Sequence, residues 1–530
     1  MKVIICDPVS PKGVALLQQR AEFKVQVLEK RLPEAELIPV VADAVALVVR
    51  SETKVTQAVL EAAPRLKVVG RAGVGVDNVD VEAATQRGVV VMNTPGGNTI
   101  STAELTFSML MALARRIPQA HMSMASGQWN RKSFQGTELY TKTLGILGLG
   151  RIGSEVARRA IAFGMRVIAY DPYLTLSRAM ALQVEVVENV FDLYPQVDFL
   201  TVHMPMSDET RGMVDAEAFA RMKRGVRVLN CARGGIINEA DLRVALESGQ
   251  VAGAALDVYE TEPLPKDSPL RTLPQVILTP HLGASTDEAQ DNVGIEVAEA
   301  VTEYLLHGTV RNAVNLPSLD AATYNQVKPY LMLGEKLGRL VAQLGVKRNH
   351  RLVITYGGQA NEVPTDPITR AVLKGFLSFA GGKDVNQVNV RTLAAGLGLQ
   401  VEEVKSTEQT DYLEWLHVAA FSEGGKVSAG GTLFSALHLP RIVRLDSQTV
   451  EIIPEGVLVL MNNTDRPGIV GYVGTILGRH NINIASMSLH REEVGGQALT
   501  VLNLDSVPPT AVLDEFRLDP NISNIRVIKL

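Results

Sequence analysis

The sequence predicts an α/β protein: two doubly wound domains on parallel sheets, then a mixed α+β region, then a small strand–helix–strand–strand–helix–strand module. Three observations carry that expectation. Short apolar runs without alternation recur from Met1 to His281, as strands covered on both faces require. Helix-patterned stretches separate them, which is how parallel strands are joined. The chain has 530 residues, more than one hydrophobic core holds.

Composition narrows the function class. A net charge of −5 gives no basic field for nucleic acid, and 46% hydrophobic with 21% charged residues is ordinary for a globular chain. No uninterrupted apolar run approaches the roughly 18 residues of a membrane span. Met1 to Asp7 reads as a buried strand, not a signal peptide, because Asp7 and Pro8 break the apolar run. Cys6 and Cys231 stand far apart with no metal-ligand spacing, so no metal is expected and both thiols read as core packing. A reducing compartment follows: the cytoplasm, or an organelle stroma if a transit peptide has been removed.

In chain order, Val3–Cys6, Ala46–Val49, Lys67–Val69 and Val89–Met92 read as strands, with helical spacing over Thr56–Ala63 and Val81–Arg87. A long helix is expected over Ser101–Arg116, stopped near Pro118. Six further strands follow at Thr143–Leu147, Arg166–Tyr170, Phe199–His203, Val226–Asn230, Gly253–Val258 and Val276–Thr279. The helix Asp287–Tyr304 is expected to lead back to the first unit. The domains expected are 1–97 with 285–316, then 98–284, 317–453 and 454–530. Ala429-Gly430-Gly431 reads as a hairpin turn, and Pro454-Glu455-Gly456 as a break before the last module.

Gly148-Leu149-Gly150-Arg151-Ile152-Gly153 is a GxGxxG after an apolar strand and before the helix-forming Ser154–Phe163. Gly148 permits the tight turn, Gly150 lets backbone approach a pyrophosphate, and Gly153 lets the helix pack on the strand. Asp171 ends the next strand about 20 residues on, where a carboxylate accepts ribose hydroxyls and repels a 2′-phosphate. NAD is therefore expected on a Rossmann-like sheet. Three loops at strand carboxyl ends, Asn230-Cys231-Ala232-Arg233, Asp257-Val258-Tyr259-Glu260-Thr261-Glu262 and Thr279-Pro280-His281, supply an arginine, a glutamate and a histidine in turn. Hydride removal from a carbinol needs a base, a cation for the neighbouring carboxylate and an acid to tune the base. Arg233, Glu262 and His281 meet that list. On the residues alone, His203 rivals His281 as the base.

These loops, with Arg71-Ala72-Gly73-Val74-Gly75-Val76-Asp77-Asn78, Asn93-Thr94-Pro95-Gly96-Gly97-Asn98 and Ala103-Glu104-Leu105-Thr106, resemble the D-isomer-specific 2-hydroxyacid dehydrogenases over essentially the whole chain. The resemblance implies that Arg233, Glu262 and His281 are catalytic, with Glu262 fixing the tautomer of His281. It implies a nicotinamide contact at Asp257. Further cofactor contacts are implied near Val74, Arg151, Ile152, Met204, Cys231, Ala232, Gly283 and Ala284. Met204 departs from the small hydroxyl residue usual there. Substrate contacts are implied at Arg50, Arg71 and Asn98, with Arg131 reaching across a dimer interface.

Several cations together favour a phosphorylated substrate, and the resemblance, whose shorter members lack this C-terminal extension, implies the phosphoglycerate-oxidising branch, acting on 3-phosphoglycerate at the start of L-serine synthesis, with 2-oxoglutarate reduction as a side activity. Alternatives are a glycerate- or glyoxylate-type reductase and a non-catalytic NAD(H)-sensing protein like the family's corepressors. The last module, from Asn463-Thr464-Asp465-Arg466-Pro467-Gly468, resembles an ACT domain, which implies L-serine as effector with contacts at Asn463, Asp465 and Asn483. Residues 317–453 resemble the intervening domain of the long form; Arg441 and Arg444 are its visible cations, and no second anion site is expected there. Self-association as dimer or tetramer is expected, and neither nucleic acid nor membrane is a partner.

Overall fold

The computed structural model describes the whole chain except residues 175, 318, 320, 346–347, 381–384, 436 and 492. The first sheet is parallel, with β1 (Lys2–Ile5), β2 (Lys24–Val27), β3 (Ala46–Val49), β4 (Val68–Arg71) and β5 (Val90–Met92) in the order β2-β1-β3-β4-β5. The strands β3, β4 and β5 are almost wholly buried, which is why their sequences show no alternation. The sequence pattern does not predict β2. It is the edge strand, largely exposed, and Lys24 and Gln26 interrupt its apolar residues.

The second sheet is also parallel. Its strands are β6 (Thr143–Leu147), β7 (Arg166–Tyr170), β8 (Glu185–Val186), β9 (Phe199–Val202), β10 (Val226–Asn230), β11 (Val251–Leu256) and β12 (Val276–Leu278). They lie in the order β12-β11-β10-β9-β6-β7-β8. The chain reverses direction between β6 and β9, and ligands of such sheets bind at that switch point, outside the carboxyl ends of the strands. The helix Thr99–Arg115 buries Ala103, Phe107, Leu110 and Leu113 against this sheet and the helix Arg151–Ala162. The helix Asp287–His307 then crosses back, burying Val293, Val297 and Val301 on the first sheet. Each fully buried valine contributes about 1.5–3 kcal/mol.

A six-stranded mixed sheet follows: β13 (Asn349–Gly358), β14 (Gln400–Ser406), β15 (Glu414–Ser422), β16 (Gly425–Phe434), β17 (Leu439–Leu445) and β18 (Gln448–Ile452). Two long helices, Ala321–Leu344 and Thr365–Ala380, pack together beside it. The expected turn at Ala429–Gly431 is corrected here: those residues run through the middle of β16. The register slips between Gly430 and Gly431, and a Cβ on Gly431 would stand 2.6 Å from a Leu333 methyl. The glycine marks a bulge under a close helix, not a reversal. The last module is an antiparallel sheet of β19 (Val457–Thr464), β20 (Ile484–Arg491), β21 (Gln497–Leu504) and β22 (Ile522–Lys529), in the order β20-β21-β19-β22, with two helices.

Candidate active site

Residues from both parallel sheets form the site. His281 follows β12 in a left-handed backbone conformation, φ 55°, which costs a non-glycine residue of order 1–3 kcal/mol. Asp257, at the end of β11, holds it there. The backbone carbonyl of Asp257 accepts the His281 N–H at 3.0 Å. Its carboxylate accepts the Thr279 hydroxyl at 2.6 Å and the N–H groups of Leu282 and Gly283 at 2.7 and 3.0 Å. Asp257 has 0% exposure. Burial pushes its carboxyl above the ordinary value, and these donors oppose the shift. Asp257 therefore has a supporting role, in which a side chain with no exposed surface fixes the histidine loop from behind. Gly283 is likewise spent, its carbonyl accepting both Ser101 and Thr102 hydroxyls at 2.9 Å, while the Ala284 carbonyl accepts Gln290.

His281 Nδ1 lies 2.7 Å from Glu262 Oε2. Glu262 also accepts the Tyr259 N–H at 3.1 Å. Burial raises the Glu262 carboxyl, but the His281 ring, the Tyr259 amide and Arg233 outweigh it and leave the group below its ordinary range. An ionised carboxylate only accepts hydrogen bonds, so Nδ1 carries the proton and Nε2 keeps its lone pair. That makes Nε2 the basic atom. His203 has no such arrangement. It lies under the Gly148 turn, its Nε2 3.0 Å from the Thr201 hydroxyl and its Nδ1 buried without a partner, and burial pushes its pKa down to about 3. It stays neutral without an acid to tune it, and the rivalry between the two histidines ends there. Replacing Glu262 with Gln removes the anion that favours the imidazolium. Reduced kcat for alcohol oxidation is then expected, with the NADH dissociation constant near wild type; an unchanged kcat would contradict the pairing.

The cations converge on the same cleft. Arg233 leaves β10 and is close enough to lower the Glu262 carboxyl and, with Arg50, to act on Arg71. Burial, then repulsion from Arg233 and Arg50, pushes the Arg71 guanidinium down to about 10, opposed by Asp77 and Asp7. Its Nε is buried without a hydrogen-bond partner. Mutually repelling guanidiniums of this kind are relieved by an anion. The spacing of Arg-x-Gly-x-Gly now has a physical reason: a Cβ on Gly73 would stand 1.6 Å from Arg71 Nη1, and one on Gly75 1.9 Å from Arg233 Nη2. The Arg50 loop is held by two residues to which the sequence assigns no such part. Buried Asp7 accepts the Arg50 and Thr53 N–H groups and the Thr53 hydroxyl at 2.6, 3.2 and 2.6 Å, and Asn78 donates to the Arg50 and Thr53 carbonyls. Asn98 precedes the helix Thr99–Arg115, but its Oδ1 makes no capping bond and is buried unpartnered. Glu239 and Glu260, also unmarked in the sequence, each accept the other's backbone N–H and so anchor the Glu262 loop. Arg131 lies instead in the exposed turn Arg131–Phe134 beyond the helix Ile117–Ala125.

The cofactor loop fits a dinucleotide. Gly148 has φ 92°, and a Cβ there would press on the His203 carbonyl at 2.7 Å. Over Gly150 nothing stands within 4 Å of such a Cβ, and no side chain caps the helix Arg151–Ala162 that it opens. Gly153 would strike the Gly148 carbonyl at 2.2 Å, so backbone approaches backbone as a diphosphate cradle requires. Asp171 Oδ2 accepts the Leu149 N–H at 2.8 Å and Oδ1 the Tyr173 N–H at 2.9 Å, which ties the loop to the ribose position. Of the other expected cofactor positions, the Val74 carbonyl accepts Asn93, Met204 packs against the Gly148 turn, Cys231 is buried with Sγ 3.6 Å from Met109 Sδ, and the Ala232 N–H donates to Asn230.

Comparison with known proteins agrees with this geometry. Residues 107–283 match the D-isomer specific 2-hydroxyacid dehydrogenase NAD binding domain, 326–446 the D-3-phosphoglycerate dehydrogenase intervening domain, and 457–517 the ACT domain. The D-3-phosphoglycerate dehydrogenase of Methanocaldococcus jannaschii is 43% identical over 530 residues, 100% of both chains. The chain belongs to the D-3-phosphoglycerate dehydrogenase family. The Bacillus subtilis member is 42% identical, covering 100% of this chain and 99% of its own. Among solved structures, TT0316 from Thermus thermophilus aligns with a TM-score of 0.55 at 35% identity, covering 59% of this chain and all of that one. An NAD-dependent formate dehydrogenase from Staphylococcus aureus, solved in complex with NAD, aligns at 0.53 and 28% identity over 60% of this chain and all of its own. NAD is the cofactor of this member of the D-3-phosphoglycerate dehydrogenase family. Among the described residues no helix is long and apolar enough to cross a membrane, and no group of metal-ligating side chains gathers.

In the ACT domain of this family member the expected serine contacts do not meet within one chain. Strand register pairs Asn463 with Ala498, and Ala498 with Arg491, at one end of the sheet; Ile484 and Val457 both pair with Leu504 at the other. Asn483 precedes Ile484, so it lies about 20 Å from Asn463 at 3.4 Å per residue. Asn463 is buried and accepts the Thr500 hydroxyl at 2.7 Å; Asp465 pairs with Arg491 at 2.7 Å; Asn483 donates to Asp505 at 2.8 Å.

Proposed function

We propose that the chain oxidises 3-phospho-D-glycerate to 3-phosphohydroxypyruvate with NAD, opening L-serine synthesis. The observation that carries this reading is the cluster of Arg50, Arg71 and Arg233 beside the His281–Glu262 pair: one guanidinium for a carboxylate, two more for a phosphate. NAD, when bound, takes up the hydride from C2. His281 Nε2 accepts the hydroxyl proton as that bond breaks, and the ionised Glu262 stabilises the resulting imidazolium. Arg233 clamps the carboxylate and turns C2 toward the cofactor loop, while Arg71 and Arg50 take the phosphate. In the reverse direction His281 returns the proton.

The test is NADH formation from NAD with 3-phosphoglycerate or with D-glycerate. Rapid turnover of the first and slow turnover of the second supports the reading; the reverse order makes the chain a glycerate-type enzyme. Arg50→Ala is expected to raise KM for 3-phosphoglycerate about 10-fold or more, the value of a charged hydrogen bond, and to change KM for D-glycerate far less. Equal changes would remove Arg50 from phosphate binding.

Self-association completes the reading. The helix Ile117–Ala125 buries none of its residues, and Ile117, Met122, Met124 and Trp129 are exposed at 52, 70, 52 and 80%. A second copy covers that face and carries Arg131 toward its neighbour's cleft. L-Serine is the effector, bound between two ACT domains so that Asn463 and Asp465 of one chain meet Asn483 of another. Serine should then inhibit the assembled protein, and Asn483→Ala should relieve that inhibition; inhibition unchanged by the substitution counts against this site.

A further inference from the structure

Arg233 already has an anion at its fork. Asp77, in the loop after β4, places Oδ2 3.3 Å from Arg233 Nε. Arg233 itself leaves the far side of the cleft at β10, so the contact bridges the two parallel-sheet units. The other nitrogens are placed differently: Nη1 donates to the Ala232 carbonyl at 2.7 Å, and Nη2 lies over Gly75. The edge formed by Nε and Nη2 is the one a bidentate carboxylate takes, and Asp77 stands on its Nε end.

The pair is lopsided. The Asp77 side chain is 72% exposed, against 27% for Arg233. A carboxylate so well hydrated gives up little on letting go, because exposed ion pairs contribute little net free energy. Its charge reaches further than Arg233, since Arg71 also feels it. Asp77 therefore part-neutralises the same cations that a phosphorylated hydroxy acid must engage.

We propose that Asp77 is an internal competitor for the substrate carboxylate: it stands at the Nε end of the Arg233 fork and sets how much anionic charge a ligand must bring to take its place. A ligand with one carboxylate exchanges like for like at Arg233. A ligand that also carries a phosphate adds up to two further charges for Arg71 and Arg50, so the exchange runs forward. Asp77 then sets the affinity of the Arg233 clamp without touching the reacting atoms. The inference rests on the reading of Arg233 as the carboxylate clamp.

Oxalate, a dicarboxylate with no hydride to give, separates this from the substrate assignment. Calorimetry of oxalate binding to the NADH-loaded protein is compared for wild type, Asp77→Asn and Asp77→Glu. Asp77→Asn is expected to bind oxalate about two- to five-fold tighter, the range exposed ion pairs span, and Asp77→Glu to stay near wild type. KM for 3-phosphoglycerate should fall with the oxalate constant in Asp77→Asn, without a matching fall in kcat. Equal or weaker oxalate binding by Asp77→Asn overturns the proposal, because Asp77 would then orient Arg233 instead of competing for it. Absence of oxalate binding in all three proteins overturns it too. If wild type binds oxalate but turns over no 3-phosphoglycerate, the substrate reading fails while the oxalate series still decides the part played by Asp77.

Discussion

His281→Ala is expected to lower kcat by about 10²- to 10⁴-fold, the range for losing a positioned general base, while the dissociation constant for NADH stays within about three-fold. The separation follows from where the residue sits. Its ring is half-exposed to the cleft and bonded through Nδ1 to Glu262, whereas its backbone is held by Asp257 independently of the side chain. Truncation thus removes the basic nitrogen and leaves the loop in place. The cofactor loop, Gly148 to Gly153, lies on β6 and its helix and shares no hydrogen bond with the imidazole. Steady-state rates together with fluorescence titration of NADH check both halves. Parallel losses of turnover and NADH affinity would mean that His281 packs the cleft instead of moving a proton.

The second large effect is expected at Arg233. Removing a charge-assisted hydrogen-bonding partner costs about 1.5–3 kcal/mol per bond, and a bidentate clamp makes two. Arg233→Ala should therefore lower kcat/KM for 3-phosphoglycerate at least about 100-fold, with both kcat and KM affected because the clamp also orients C2. Arg233→Lys keeps the charge and loses the fork, so it should recover only part of that loss. Full recovery by lysine would reduce the role of Arg233 to a point charge. A change in KM alone would remove its orienting role.

Much of this site is visible in the sequence because its parts lie at the ends of buried strands. β4, β6, β10, β11 and β12 are short and apolar, and a polar residue at such a terminus stands out. The GxGxxG loop and Asp171 carry their own spacing. What stays hidden is whatever depends on contacts between distant segments. β2 and β8 are exposed edge strands with charged residues in them, so no apolar run marks them. Asp7 reads as the residue that ends an apolar run, and only the fold shows it bonded to the Arg50 loop. Asp257 reads as a ligand contact, and only the fold shows that it also holds the histidine loop. Asn463 stands near the end of β19 and Asn483 precedes β20, and the helix between them carries the chain back to the other end of the sheet, which no local pattern announces. Glu239 and Glu260 stay hidden because a reciprocal carboxylate–amide pair has no sequence signature.

The most direct measurement is a crystal structure of the protein with NADH and 3-phosphoglycerate both bound. The C2 oxygen should lie within hydrogen-bonding reach of His281 Nε2, the carboxylate on the Arg233 fork with Asp77 displaced, and the phosphate among Arg71 and Arg50. An imidazole turned out of the cleft, or a ligand bound with its phosphate on Arg233 and its hydroxyl away from residue 281, would contradict the assignment at its centre.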